Sequence, residues 1–515
     1  MSVEAANRRS ARPRLGVHRD HDTYKWWALS CTSLGMLLAT INSGTLIIAL
    51  PDLERSLHTS LLELVWVILV YMIASTVLVL SAGRLSDQFG RKRAYVAGFI
   101  VFAAASLGAG FAANGTQLIL WRILQGIGGS FLFANSAAIV TDAFPREQLG
   151  LAMGTNTMVA AVGLVIGPVL GGALVAISWP WVFWFNVPFG LAGSLWAALV
   201  LRELGGQGED HTFDFLGTAT FLVGLTGLVF GISKGGIEGW GEPLVIGGLV
   251  AAAVLLPLFV VIERHQRAPM LDLTIFRNRL FSAAAAAAFI NGLARFALMF
   301  VFVFYFQGVQ GNSPILAGVK LAPLAVGMLV SSPLSGIWAD RRGSRGLAVL
   351  GMLVTAAGLA LMTLLERGTS YWASGSFMFI VGIGSGMFNS PNTAAMMGTV
   401  RPQRRGIAAG ARVLVQNTGA VISIAFVLAI VTSAVPKSVL FKVFSGLANH
   451  ISTAELQPFI SNMHTALWTL AAVSVVGAFV AAARPRTHAA EAEKDGLEPP
   501  AAVVPQTEVQ EAVAS

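Results

Sequence analysis

Long apolar runs alternate with short polar stretches along almost the whole chain. The runs fall at 26–50, 62–82, 94–113, 116–140, 151–177, 181–201, 213–233, 244–263, 280–307, 315–339, 346–365, 372–398, 406–431 and 464–483. A helix needs about 20 mostly apolar residues to cross the hydrocarbon core of a bilayer. The pattern therefore predicts an all-α integral membrane protein with fourteen spans. The count is most sensitive at two tight hairpins, 94–113 with 116–140 and 151–177 with 181–201.

Charge placement tests that count. With the N-terminus inside, the connecting segments on the cytoplasmic side hold 25 of the 34 Lys and Arg residues. The opposite loops hold Arg55, Lys234, Arg367, Lys437 and Lys442, and Arg122, Arg295, Lys320 and Arg412 fall within spans. Positive charge gathers on the cytoplasmic side of membrane proteins, and one missed span would invert every later loop. The same bias accounts for the net charge of +8 without a nucleic-acid partner.

Composition agrees. Hydrophobic residues make up 55% of the chain and charged residues 12%, about half the charged share of soluble domains. The single cysteine, Cys31, excludes a disulfide framework or a cysteine-rich metal site. The basic segment 1–25 precedes an apolar run too long for a cleaved signal peptide, so it reads as a cytoplasmic tail ahead of a retained first helix. Residues 484–515 lack a hydrophobic pattern and read as a disordered cytoplasmic tail.

The chain also repeats itself. Gly83-Arg-Leu-Ser-Asp87-Gln-Phe-Gly90-Arg91-Lys92 returns as Gly336-Ile-Trp-Ala-Asp340-Arg-Arg-Gly343-Ser344-Arg345. Gly126-Ile-Gly128 returns as Gly382-Ile-Gly384, and Gly150 and Gly154 as Gly406 and Gly410. The first copy lies between spans 2 and 3 and the second between spans 10 and 11. That offset predicts two six-helix halves, 26–201 and 264–483, with two inserted helices in 202–263. Internal repeats mark secondary transporters that bind substrate between their halves near the membrane midplane.

At these residues the chain resembles the major facilitator superfamily, in particular its fourteen-helix drug/proton antiporter branch. Gly83 to Arg93 resembles the family's cytoplasmic loop signature. Arg122-Ile-Leu-Gln125-Gly126-Ile-Gly128 resembles its fourth-helix motif, and Gly163-Leu-Val-Ile-Gly167-Pro168-Val-Leu-Gly171-Gly172 its fifth-helix antiporter motif, which is associated with exporters. Ala49-Leu50-Pro51 resembles the end of the first-helix motif, and Trp66 with Tyr71 the second helix of the branch. The resemblance spans roughly 26–483.

It implies roles for particular residues, each beside a plainer reading. Gly83, Asp87, Gly90 and Arg91, with Gly336, Asp340 and Gly343, would form the gating loops; the plainer reading is two solvated turns whose charges set topology. Arg122, with Gln125 on the same helix face, would couple protons or orient substrate, because an Arg in lipid is costly unless it faces the bundle; the plainer reading is an Arg that snorkels to the interface. Gly163, Gly167 and Gly171 form a small-residue stripe around Pro168. Such a stripe lets backbones approach closely, as a pliable seal or as ordinary packing. Arg295 stands as a second cavity cation or a structural residue, whereas Arg412 sits near enough to a span edge to snorkel. Asn389 and Asn392 flank Pro391 and either line the cavity or satisfy carbonyls freed by that proline. Trp66, Tyr71, Phe131 and Phe133 either shape an apolar pocket or face lipid.

One feature departs from the branch. Many members carry an Asp nine residues before the Pro of Ala-Leu-Pro; here that residue is Asn42. Asn cannot titrate and Arg stays protonated, so the proton carrier is open, with Asp142 and Glu63 as candidates. The expected function is secondary active, proton-coupled export of amphipathic organic compounds by a monomer of the plasma membrane, with both termini cytoplasmic. The alternatives are a transporter of one solute such as a siderophore, amino acid or sugar, an uncoupled facilitator, or a membrane sensor. No H-E-x-x-H, G-x-x-x-x-G-K-[ST] or C-x-x-C is present. No enzymatic activity, cofactor or metal is therefore expected.

Overall fold

The computed structural model describes residues 21–145, 148–203, 214–266, 269–400, 405–433, 435–444 and 451–484. The expected tails lie outside these residues apart from 21–25 and Arg484. All regular structure among the described residues is helical: α1 (His21–Leu57), α2 (Leu61–Phe89), α3 (Arg91–Ala109), α4 (Gly115–Ala143), α5 (Leu149–Ile177), α6 (Trp181–Trp184), α7 (Asn186–Val200), α8 (Phe215–Glu238), α9 (Pro243–His265), α10 (Arg279–Phe304), α11 (Pro314–Arg342), α12 (Ser344–Met362), α13 (Tyr371–Gly398), α14 (Arg405–Thr432), α15 (Lys437–Phe444) and α16 (Thr453–Ala482). A π-helical turn, Tyr305–Val309, extends α10. Twelve helical stretches among the described residues are long and apolar enough to cross a membrane. Helices α5 and α13 are of similar length, 29 and 28 residues, and α13 carries many Gly, Ser and Asn residues.

Local chemistry fixes where the helices begin. Ser60 and Glu63 form a reciprocal capping box at the start of α2, and Ser452 with Glu455 does the same for α16. Each box satisfies amide donors that the first turn leaves free. The two repeat copies make the same break: α2 passes to α3 through Gly90 at φ +102°, and α11 to α12 through Gly343 at φ +83°. The amide of each glycine donates back to the preceding helix, Gly90 to Ser86 and Gly343 to Ala339. A side chain at either glycine would be strained.

Helices α1–α7 pack into one bundle and α10–α16 into another. The bundles meet where α5 lies along α11 and α2 along α14. The hairpin of α8 and α9 touches both: Ser81 of α2 hydrogen-bonds Thr218 of α8 at 3.0 Å, and Thr432 of α14 donates to the Gly236 carbonyl of α8 at 3.1 Å. One face of α9 is exposed through Leu244, Ile246, Val250, Val254, Leu258 and Val261. Exposed aliphatic side chains at this density suit lipid rather than water.

Candidate functional site

Glycines decide how closely α1 and α5 pack. A Cβ on Gly167 would sit 3.0 Å from the Gly44 Cα and 3.1 Å from the Ile41 carbonyl oxygen. One on Gly163 would strike the Thr40 hydroxyl, and one on Gly171 would lie 2.6 Å from the Thr45 Cα. The stripe thus brings α1 against α5, and the backbone at Pro168 meets the other bundle. Gly318 of α11 faces the Pro168 carbonyl, and Gly172 lies against Pro314 and Ile315. At the same end of the molecule, away from the Gly90 and Gly343 turns, the Gln307 amide donates to the Ile48 carbonyl at 3.1 Å.

A cavity of about 90 Å³ lies between the bundles, lined by Ser43, Gly44 and Ile47 of α1, Ile68, Tyr71 and Met72 of α2, Arg122 of α4, Arg295, Phe296 and Met299 of α10, Leu324 and Met328 of α11, and Ile424 of α14. Its wall is apolar apart from a few groups, and among the described residues the two guanidiniums are its only charged ones. Arg122 is 1% exposed. It donates from Nε to the Val67 carbonyl at 3.0 Å, from Nη1 to the Gln125 Oε1, and from Nη1 to the Asn42 Oδ1 at 3.5 Å. Its guanidinium lies 4.2 Å from the Tyr71 ring centroid. Gln125 Nε2 in turn donates to Asn42 Oδ1 at 3.1 Å and to Ser106 Oγ at 2.7 Å, and Asn186 Nδ2 donates to Asn42 Oδ1 at 3.3 Å. Helices α4 and α7 therefore converge on Asn42 of α1, whose carbonyl receives three side-chain donors.

Arg295 enters from the other bundle with poorer partners. Its Nη1 donates to the Met328 sulfur at 3.4 Å, and its guanidinium lies 4.4 Å from the Phe296 ring centroid. Its buried Nε has no hydrogen-bond partner among the described residues. Asn389 and Asn392 do not line this cavity. Asn389 accepts from Gln416, which itself accepts from Arg412, so Arg412 turns into the bundle. Asn392 donates to the Ala284 carbonyl at 3.2 Å and accepts from Arg484. Trp66 packs at a tilt against Phe230 of α8, at 5.7 Å between centroids, rather than on the cavity.

The loop residues gather at the Gly90 end. Arg91 pairs with Asp87 at 2.8 Å and with Asp142 of α4. Glu203 accepts from the Lys92 amide at 3.2 Å and lies 3.6 Å from Arg93; no motif in the sequence marks it. Gly83 and Gly336 lie in α2 and α11, and Gly336 approaches Ser390. The side chain of Asp340 lies outside the described residues. Glu63 serves as the α2 cap, and Asp142 as the far end of the Arg91 pair. Among the described residues three acids are buried: Glu54 past Pro51 on α1, and Asp214 and Glu263 at the ends of α8 and α9 nearest the Gly90 turn. Glu263 accepts from the Leu271 amide at 2.9 Å and Asp214 from those of Gly217 and Met270. None of the three lines the cavity.

Asn42→Asp places a titratable group at the centre of this network, where a carboxylate keeps the three acceptor contacts and faces Arg122. The expected outcome is a changed pH profile of transport. An unchanged profile would exclude this position from proton coupling.

Residues 32–424 match the Major Facilitator Superfamily. The chain is 30% identical over 386 residues to the tetracenomycin C resistance and export protein of Streptomyces glaucescens, covering 75% of this chain and 72% of that one. It is 30% identical over 439 residues to the multidrug transporter protein MdtP of Bacillus subtilis, covering 83% and 78% respectively. It is 30% identical over 420 residues to the puromycin resistance protein pur8 of Streptomyces alboniger, covering 80% and 83%. In fold it is similar to a bacterial homologue of the human lysosomal transporter Spinster in an inward-facing, unoccupied conformation, at TM-score 0.63 and 16% identity over 89% of this chain and 96% of that one. The match over most of the chain makes it a multi-pass membrane transporter of the major facilitator superfamily.

Proposed function

We propose that the chain is a fourteen-span, proton-coupled exporter of amphipathic organic compounds, working as a monomer by alternating access. In this reading α5 and α13 join the twelve clearly apolar helices, and the spans divide as six, two and six, with both termini cytoplasmic and the plasma membrane as host. The observation that carries the reading is the narrow cavity between the bundles, with one buried arginine from each. Ligand sites for drug-sized molecules run to about 300–1,000 Å³, so a cavity of about 90 Å³ must widen to load. Parting the bundles at one end does that. In this structure the Gly318–Pro168 and Gln307–Ile48 contacts hold together the end away from the Gly90 turn, which we read as the closed outer gate. The relatives named for resistance and export support efflux as the direction.

The gating turns would stabilise the opposite state. Arg91 joins Asp87 to Asp142 across α2, α3 and α4, so movement at this turn changes the surroundings of a carboxylate. Asp142 is therefore a better-placed proton carrier than Glu63, whose carboxylate is held by Ser60. The test uses inverted vesicles with and without a collapsed proton gradient. Collapse is expected to stop substrate accumulation, and unchanged uptake would sink proton coupling.

A further inference from the structure

We infer that the central cavity selects organic anions, held by an acidic group between Arg122 and Arg295 with their apolar body against Phe296, Met299 and Ile68; this rests on the proposed transport through that cavity. The inference comes from charge balance. Both guanidiniums remain ionised, and an ionised group buried in an apolar surround is costly unless it is paired. Arg122 is partly compensated by neutral acceptors, the Val67 carbonyl, Gln125 and Asn42. Arg295, 9% exposed, has only a thioether sulfur and a ring face, and its Nε is unmatched among the described residues. Among the described residues no carboxylate lines the cavity. The buried acids are committed elsewhere, Asp214 and Glu263 to backbone amides at the ends of α8 and α9.

The missing counter-charge can then be brought by the ligand. A carboxylate or phenolate offers charge-assisted hydrogen bonds to a guanidinium, two at once where the geometry is bidentate, and low polarity strengthens the attraction. A cationic amphiphile meets two like charges in the same enclosure. The remaining wall residues accept a flat apolar body, since methionine packs readily against aromatic rings.

Three probes with one ring system separate charge from hydrophobicity: 2-naphthoate, 2-naphthamide and 2-naphthylmethylammonium. Equilibrium binding to the purified full chain in lipid nanodiscs is expected to favour the carboxylate at least tenfold over the other two. Arg295→Gln should lower carboxylate affinity about tenfold and leave the amide within twofold. Arg295→Lys should keep the preference, which guards against a folding defect in the Gln variant. Equal or tighter binding of the ammonium or the amide overturns the inference, as does binding of none of the three or an unchanged preference in Arg295→Gln. Flux through proteoliposomes separates this from the export reading. Carboxylate preference without movement upholds the charge selection and removes transport of this class, whereas movement of the ammonium ahead of the carboxylate leaves export standing and removes the inference.

Discussion

Arg122→Met is expected to reduce transport about a hundredfold while leaving the protein folded and in the membrane. Methionine keeps most of the unbranched stem, so the space beside Tyr71 stays filled. What disappears is the charge and three donated hydrogen bonds. The Val67 carbonyl, Gln125 Oε1 and part of the Asn42 acceptor then lose their donor inside a closed site. An unsatisfied buried polar group costs roughly 1–3 kcal/mol, and the stacking over Tyr71 adds about 0.5–2 kcal/mol. About 2.7 kcal/mol of lost stabilisation in a transport step corresponds to about a hundredfold in rate. Global stability should change less, because removing a buried charge also removes its desolvation cost. Arg122→Lys is the sharper comparison. A single ammonium cannot span the Val67 carbonyl and the Gln125 side chain as a guanidinium fork does, so a loss of at least tenfold is expected with the charge retained. The measurement is initial-rate flux in proteoliposomes, normalised to correctly assembled protein. Wild-type flux in Arg122→Lys would mean that charge alone matters here, and wild-type flux in both would leave Arg122 a packing residue.

That network shows what the sequence could and could not reveal. Arg122 and Gln125 are three apart on one helix, so their shared face was legible from spacing alone. Asn42 was legible only as a departure from a family pattern; its place as the hub of Gln125, Arg122 and Asn186 depends on two helix crossings, α1 with α4 and α1 with α7, that no periodicity encodes. Arg295 shares a cavity with Arg122 because α10 and α4 belong to different bundles that close on each other. Its distance from Arg122 along the chain gives no hint of that. Asn389 and Asn392 attracted attention for their proline neighbour, yet the first bonds within its own bundle to Gln416 and the second to Arg484. Proline placement says that a helix has free carbonyls, not which face its neighbours turn toward the centre.

The turns were more legible, because a backbone constraint leaves a residue signature. Both repeat copies need a left-handed residue between two helices, and both use glycine, Gly90 and Gly343. The fifth-helix stripe was legible as close packing but not as to its partner. The same helix meets α1 within its own bundle through Gly163, Gly167 and Gly171, and α11 of the other bundle through Pro168 and Gly172. Its interval of four residues is common to both contacts.

The inter-bundle part of that seam makes the last prediction. Gly318→Leu is expected to hold the bundles apart at the end away from the Gly90 turn. A Cβ at Gly318 would run into the Pro168 carbonyl and lie 3.1 Å from the Val169 Cα. Both obstacles are backbone, so no rotamer change relieves them. Overpacking of this kind costs typically about 1–3 kcal/mol. If only the closed state carries that penalty, the population shifts toward the parted state by roughly five- to 150-fold. Thr45 provides the reporter, since it is 1% exposed and lies behind this seam against Gly171. With Cys31→Ser removing the only native cysteine, Thr45→Cys should react with a membrane-impermeant maleimide at least fivefold faster in the Gly318→Leu background, and transport should fall because the closed state is reached less often. Gly318→Ala should lie between the two, since its single methyl still meets the carbonyl. Faster labelling with lost flux identifies the seam as a gate that must close in each cycle. Unchanged labelling with lost flux would instead assign Gly318 to packing within a state in which the bundles never part at this end.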